Sequence, residues 1–419
     1  MMHLLNEEQK EWAKKAKELA DVFFERARNI DENAEFTKQN FKELGESGIL
    51  WLSIPQKYGG NGDDTGDHHL ITYVVTEIIS AKCANTGWNL TIHYQNCGIL
   101  ARLGEEELCQ RVFSDMIKNN KFIGSLGSEI NPLQNNKTKG NGEKLKNPTT
   151  KLTFKSGLTP IENGFLANGS KGFCTAGPAA DYLMYWGLAP NTDTSGEGLV
   201  VCIIDGSESG INFSSRGWSE IIGLRGTVSY VCELNDVFIP YENRIGQPGD
   251  FVQNDPHTLE LSQTSHLLGI AQGALDFLLK TIGERPFLKK EDGVVGTIGE
   301  IGTEIKAARA LLWHGATLFE KQDFEEAALT SYQALRFTKK ITLNVLDKSF
   351  EIIGTRSLFK FNPIERLWRD ARVSTLHTRT SQIDRLIGES IISGEFFPKQ
   401  KYGEKTTERK SWDKLLTNV

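Results

Sequence analysis

TVSYVCELNDVFIP, Thr227–Pro240, is the stretch that decides the fold. Its β-branched and aromatic residues are punctuated by Asn235, Asp236 and Pro240, the pattern of a strand with turn signals. It closes a series of similar runs broken by Gly, Asn and Pro. These are FIGSLGS (Phe122–Ser128), KLTFKSG (Lys151–Gly157), GFLANGSKGFCTAG (Gly164–Gly177), YLMYWGLA (Tyr182–Ala189) and GLVVCIID (Gly198–Asp205). Together they predict a compact β-barrel or sandwich from Lys121 to about Pro240. The polar Gly/Asn-rich insert LQNNKTKGNGEKLKNPTT (Leu133–Thr150) reads as an exposed loop within it.

On either side of this region the period changes from two to about 3.6. LNEEQKEWAKKAKELADVFFERA (Leu5–Ala27) sets Leu5, Trp12, Ala16, Leu19, Val22 and Phe23 at helical spacing. TKQNFKELGESGIL reads as a helix ending near Gly48, and IPQKYGGNGDD as a loop. GEEELCQRVFSDMIKNN carries acids in its first turn, which suits a helix dipole. After the β-region come LELSQTSHLLGIAQGALDFLLKTIG from Leu259, then VVGTIGEIGTEIKAARALLWHGATLFEKQ and YQALRFTKKITLNVLDKSFEIIG. They are apolar on more than one face, as in a bundle that also buries a subunit contact. The expectation is an α+β chain with helices over 1–120, a β-domain over 121–242 and a four-helix bundle over 243–397. A charged, peripheral tail follows over 398–419.

The bulk numbers exclude several function classes. A chain of 419 residues with 39% hydrophobic and 24% charged residues is long enough for two or three units at roughly 150 residues each. A net charge of −6 argues against nucleic acid as a partner. No apolar run of membrane length occurs, and the amino terminus lacks a signal-peptide core. The six cysteines form no CxxC pair, and the eight histidines form no HExxH. The expectation is a cytoplasmic protein with no metal and no membrane contact.

Nucleotide-binding glycine loops are absent, and so is a GxSxG elbow. GSKGFCTAG (Gly169–Gly177) sets Thr175 beside Phe173 on a strand edge that can meet a flat heteroaromatic ring; a plain hairpin is the competing reading. GLRGTVS (Gly223–Ser229) reads as a tight turn carrying an arginine. Composition and periodicity alone reach an α+β protein and no further.

Taken in order, the segments resemble the acyl-CoA dehydrogenase superfamily over roughly residues 4–396. The resemblance rests on LNEEQ, ESGILWLSIPQKYGGNG, IHYQNCGILARLGEEE, GSKGFCTAG, IGLRGTVSYVCELNDVFIP, LGIAQGALD with Arg285, and IIGTRSLFKFNPIERLWRDAR with TSQIDR. It implies the acyl-CoA dehydrogenase fold: an N-terminal helical domain, a central β-domain and a C-terminal four-helix bundle. It further implies a bound flavin, a small-molecule substrate and a homotetramer. By the same resemblance, Ser128 in LGSE, Phe173 and Thr175 surround the flavin ring. Arg285 matches an arginine that binds a diphosphate in the neighbouring subunit, although Pro286-Phe287-Leu288 lacks the family's glycine. Gly354 matches a close backbone approach, with Glu351 where glutamine is common. Thr380 and Gln382 match contacts to the dinucleotide part.

The departure lies in RDARVSTLHTRTSQIDR, Arg369–Arg385. Many acyl-CoA dehydrogenases carry Tyr-Glu-Gly-Thr where this chain has His377-Thr378-Arg379-Thr380. Their glutamate removes the substrate α-proton, and an unperturbed threonine hydroxyl stays protonated near neutral pH. Some relatives take the base from an earlier helix, at a position matching Leu259; Glu260 is one residue away, a rotation of about 100°. The pair Leu376-His377, the LGIAQGALD segment and Arg285-Pro286 instead resemble flavin monooxygenases of the dibenzothiophene monooxygenase type. Those use O2 and reduced flavin from a separate flavin reductase. A histidine, whose ordinary pKa is about 6.5, suits their proton traffic. Their further His or Asp neighbours are missing, with Ser374 and Thr378 in place. His93 also falls near that branch's polar residues, with a structural reading preferred. His314 reads as a packed or interface histidine, and His68 and His69 as residues flanking a helix.

Three functions therefore stand: a flavin monooxygenase with His377 as acid/base, an acyl-thioester dehydrogenase with Glu260 as a relocated base, and a non-catalytic flavin-binding protein. TSQ and Arg285 favour FAD, and the monooxygenase likeness favours FMN.

Overall fold

The computed structural model describes residues 4–63, 70–129, 156–192, 198–254, 258–395 and 411–416. Leu133–Thr150, His68 and His69 lie outside the described residues.

Five helices open the chain: α1 (Glu7–Asn33), α2 (Lys38–Glu46), α3 (Leu70–Lys82), α4 (Ala84–Leu103) and α5 (Glu106–Asn119). The LNEEQ motif is a capping box. Gln9 N donates to Asn6 Oδ1 at 2.8 Å, and Asn6 N donates to Gln9 Oε1 at 3.1 Å. The buried stripe of α1 is Ala13, Ala16, Ala20, Phe23, Ala27 and Ile30, while Val22 faces solvent. Small residues set that stripe because α1 lies close against α3. Helices α3 and α4 are buried on nearly every side, so their polar residues must find partners inside the protein.

The β-domain is one eight-stranded sheet in the order β6-β7-β3-β2-β4-β5-β8, with β1 parallel to β4. Its strands are β1 (Ile123–Leu126), β2 (Gly157–Ile161), β3 (Gly164–Cys174), β4 (Tyr182–Leu188), β5 (Leu199–Asp205), β6 (Ile211–Ser214), β7 (Tyr230–Pro240) and β8 (Arg244–Ile245). Period-two alternation splits β4 and β5 between two cores. Leu183, Tyr185, Val200, Cys202 and Ile204 join Phe165, Cys232, Val237 and Ile239 in the sheet's own core. Tyr182, Met184, Trp186, Leu199, Val201 and Ile203 belong to the helical core. The sheet is thereby fastened to the helices through its middle strands.

The second helical part holds α6 (Thr258–Glu284), α7 (Asp292–Glu320), α8 (Phe324–Ile353), α9 (Pro363–Ser374) and α10 (Thr380–Ser393). The glycines of LGIAQGALD have a steric purpose. A Cβ on Gly269 would sit 2.4 Å from Glu77 O, and one on Gly273 2.2 Å from Ala81 O. Only glycine lets the α6 backbone approach α3 this closely. The RDAR segment clamps three parts of the chain together. Arg369 on α9 pairs with Asp31 of α1 at 2.6 Å and donates to Ile222 O at 2.6 Å. Asp370 Oδ1 accepts from Leu224 N at 2.6 Å.

The carboxy-terminal segment departs from the peripheral role expected of it. Trp412 is buried in the sheet core, its ring 5.1 Å from that of Phe165. Its Nε1 donates to Gly246 O at 2.9 Å, and Arg244 lies over its face. One large aromatic with a satisfied N–H outweighs the charges around it. Among the described residues no helix is long and apolar enough to cross a membrane.

Candidate active site

The site grows from five consecutive polar residues on α6. Ser262, Gln263, Thr264, Ser265 and His266 are all buried. Thr264 and Ser265 return their hydroxyls to backbone carbonyls, Glu260 O at 2.7 Å and Tyr73 O at 2.8 Å. The other pair reaches across the fold. Gln263 Nε2 lies 2.7 Å from His377 Nδ1. His266 Nδ1 lies 3.0 Å from Ser80 Oγ, and its Nε2 lies 2.9 Å from Ser374 Oγ. Burial pushes the His266 imidazole down to about 3, so it is neutral near pH 7.

Trp88, from α4, stands between the two imidazoles. Its ring is 5.1 Å from that of His266 and 5.3 Å from that of His377, edge-on in both cases. His377 itself is exposed, in the turn between α9 and α10. The same turn is held from below. Lys339 on α8 is buried and donates its ammonium to the carbonyl of Thr378. Glu260 is buried in the first turn of α6, one helical turn before Gln263.

A second set of groups comes from the sheet. Ser229 Oγ donates to Thr175 Oγ1 at 3.1 Å and lies 2.8 Å from Thr227 Oγ1. Thr175 thus keeps its own hydroxyl proton to give. The turn carrying Thr227 is tied to α4 near Trp88: Gly226 N donates to Asn85 Oδ1 at 2.7 Å, and Asn89 Nδ2 donates to Gly226 O at 3.2 Å. Asn85 and Asn89 therefore bring the Thr175 cluster to the helix that carries Trp88. Phe173 is 69% exposed with φ 57°, a left-handed conformation uncommon for an aromatic residue. It borders a cleft of about 310 Å³ with Ser229, Tyr230, Trp218 and Arg216. Ser128 is exposed beside it, and Gly172 N donates to Ser128 O at 3.0 Å. A buried ion pair sets this register, Lys171 Nζ lying 2.9 Å from Glu129 Oε1.

The remaining candidates fall in two places. Thr380 and Gln382 occupy the first turn of α10, next to His377. Arg285 lies at the carboxy-terminal end of α8, donating to Ile353 O at 3.3 Å and so standing beside Gly354, whose φ is 77°. Lys339, midway along α8, and Ile353, its last residue, lie about 21 Å apart at 1.5 Å per residue.

Two further histidines stand apart from this cluster. His93 is fully buried. Its Nδ1 accepts from Ile123 N at 3.3 Å, and its Nε2 lies 2.9 Å from Leu50 O. Burial lowers it to about 4. Both nitrogens brace α4 against β1 and the Ile49–Trp51 turn, in line with the structural reading preferred from the sequence over an acid–base role. His314 is exposed on α7, so it is not packed within this chain. Gln263, His266, Trp88 and Lys339 were not picked out by the sequence. The signal available for the first two was SQTSH, a polar run inside an otherwise apolar helix.

Comparison with known proteins agrees with this architecture. Residues 6–120 match the family model "Acyl-CoA dehydrogenase, N-terminal domain", and residues 261–382 match "Acyl-CoA dehydrogenase, C-terminal domain". The chain is 26% identical to the short-chain specific acyl-CoA dehydrogenase of Clostridium acetobutylicum, covering 88% of this chain and 93% of that one. It is 24% identical to dibenzothiophene monooxygenase of Rhodococcus qingshengii, covering 85% and 87%. The crystal structure of TdsC from Paenibacillus sp. A11-2 with FMN and indole superposes with a TM-score of 0.79 at 22% identity, covering 94% of this chain and all of that one. Two models of one family that together match more than half the chain, one on each helical part with the sheet between them, make this protein a member of the acyl-CoA dehydrogenase superfamily.

Proposed function

We propose that this flavoprotein oxidoreductase is a monooxygenase, taking reduced flavin from a separate reductase and using O2 on a small organic sulfur, nitrogen or aromatic compound. The observation that carries the reading is the turn at His377. Where dehydrogenases of the family have a glutamate, this chain has Thr378, whose backbone carbonyl is engaged by Lys339. The neighbouring group suited to acid–base work is an imidazole braced by Gln263 and Trp88.

The residues present fit a flavin. An exposed phenylalanine in a left-handed conformation beside a cleft of about 310 Å³ is suited to a flat ring. Thr175 has a hydroxyl proton to donate to a heteroatom of that ring. Thr380 and Gln382, at a helix amino terminus, suit a phosphate. Bound flavin supplies the two-electron chemistry and the reaction with oxygen. The chain's own residues hold and orient it, exclude water with Phe173 and Trp88, and manage a proton at His377.

Arg285 and Gly354 support a homo-oligomer. They sit roughly four helical turns along α8 from the Lys339 contact that holds the His377 turn, and a second copy can supply an arginine to the Thr380 side. Phe287, Leu358, Phe359 and Phe361 are exposed in the two segments that the Arg285–Ile353 bond joins, an apolar patch suited to a subunit contact.

A second reading has one observation in its favour. Glu260 is a buried carboxyl one turn from Gln263, which suits the relocated base of an acyl-thioester dehydrogenase. Anaerobic titration of the flavin-loaded protein with a panel of acyl-CoA esters separates the two. The monooxygenase reading expects no bleaching of the flavin. Bleaching that vanishes in Glu260→Gln would establish the dehydrogenase. No response here, no oxygen-dependent transient and no turnover on a wide substrate panel would leave a non-catalytic flavin-binding protein.

A further inference from the structure

We infer that Gln263 is a positioning residue that selects the tautomer of His377, placing the ring proton on Nε2. The inference rests on the reading of His377 as the site's acid–base group. It goes further by stating which way the group works.

An amide nitrogen carries protons and offers no lone pair for a hydrogen bond. In the amide orientation of this structure Gln263 Nε2 lies 2.7 Å from His377 Nδ1, and in that orientation Nδ1 presents its lone pair. The single proton of the neutral imidazole then sits on Nε2. A histidine so arranged enters its reaction cycle as a hydrogen-bond donor through Nε2. Removing an α-proton through Nε2 would require the opposite tautomer. The tautomer alone therefore separates donor chemistry from the work of the missing glutamate.

The arrangement is built to hold. Gln263 is almost wholly buried, and a buried amide keeps its partner because an unmade hydrogen bond costs about 1–3 kcal/mol. The His377 ring also has an aromatic neighbour. It meets the edge of Trp88 at 66°, and Trp88 meets His266 at 61° on its other side. His266 in turn is fastened at both nitrogens, by Ser80 from α3 and Ser374 from α9. His266, Trp88 and His377 thus form a row of edge-on contacts, and Gln263 addresses its outermost ring.

The test uses the full-length protein with 15N-labelled histidine, read by magic-angle-spinning nitrogen spectra at a pH where the imidazole is neutral. His377→Ala identifies the signal. The wild type should show a protonated Nε2 and a bare Nδ1. In Gln263→Glu a carboxylate can only accept, so the proton should move to Nδ1. Gln263→Met, of similar length and without either function, should keep the melting temperature and give a mixture. A protonated Nδ1 in the wild type, or an unchanged tautomer in Gln263→Glu, overturns the assignment. The readout needs neither flavin nor substrate, so its failure is distinct from failure of the monooxygenase reading. Once a substrate is found, kcat of Gln263→Glu should fall at least ~100-fold with little change in KM. An inverted tautomer with unchanged kcat would overturn the functional half of the inference.

Discussion

Lys339 on α8 donates its ammonium to the main-chain carbonyl of Thr378, the residue standing where many relatives carry a catalytic glutamate. The contact spans 39 residues and fixes the His377 turn through its backbone. Desolvation, aided by Arg336, lowers Lys339 to about 8. Because the folded value lies below the ordinary 10.5, the charged form is penalised below about pH 8, and stability rises as pH climbs from there to 10.5. Lys339→Met removes both that penalty and the donor. The melting temperature at pH 7 should therefore change by only a few degrees, roughly 1 kcal/mol, while turnover falls about tenfold as the turn loosens.

His377→Ala should leave flavin content close to that of the wild type and lower turnover by about 10²–10⁴. Cofactor stoichiometry by absorbance and assembly state by light scattering check it. Loss of the oligomer would make the histidine structural.

Asp370 gives the stability profile a predictable sign. Its carboxyl is buried, and burial followed by repulsion from Asp31 raises it to about 7. A folded value above the unfolded one stabilises only while the group is protonated. That contribution is full below pH 3.8 and gone once pH has risen through about 7. Asp370→Asn keeps an oxygen for Leu224 N and cannot ionise. It should be more stable than the wild type at pH 8, by a few kcal/mol at most, with the advantage shrinking toward pH 4. Urea melts at these two pH values decide the point.

Arg285→Ala should weaken flavin binding about 10–100-fold, the scale of a charge-assisted bond to phosphate. If a second copy supplies Arg285, oligomers mixed from Arg285→Ala and Thr380→Ala/Gln382→Ala subunits should recover some sites of wild-type affinity. Additive loss without recovery would place all three residues in one chain's site.

Trp412 should matter to the β-domain far more than its place near the chain's end implies. Trp412→Ala should cost roughly 3–5 kcal/mol, the usual range for truncating a buried tryptophan. Thermal denaturation followed by circular dichroism measures it.

The order of helices, strands and helices was legible because the apolar period changes near Lys121 and again after Pro240. The family likeness was legible because its motifs are local turns and close approaches, such as Gly269 and Gly273 against α3. The tail was misread because one aromatic, Trp412, carries more packing than many charges can reveal. The site's second rank was hidden for a different reason. Gln263 meets His377 across 114 residues, and His266 meets Ser374 across 108. Helical pattern reports which face is buried, and says nothing of which distant side chain waits there. His93 was legible as a histidine near the site, but its role followed from two backbone partners that no spacing discloses.

The central claim is oxygen chemistry on reduced flavin, and rapid mixing tests it most directly. The protein loaded anaerobically with reduced FMN or FAD is mixed with O2 while the flavin spectrum is followed. The account predicts a transient whose spectrum belongs to neither the reduced nor the oxidised flavin, formed in proportion to oxygen and altered in its decay by His377→Ala. Direct reoxidation with no such transient, in a protein whose oxidised flavin is bleached by an acyl-CoA ester, would contradict it.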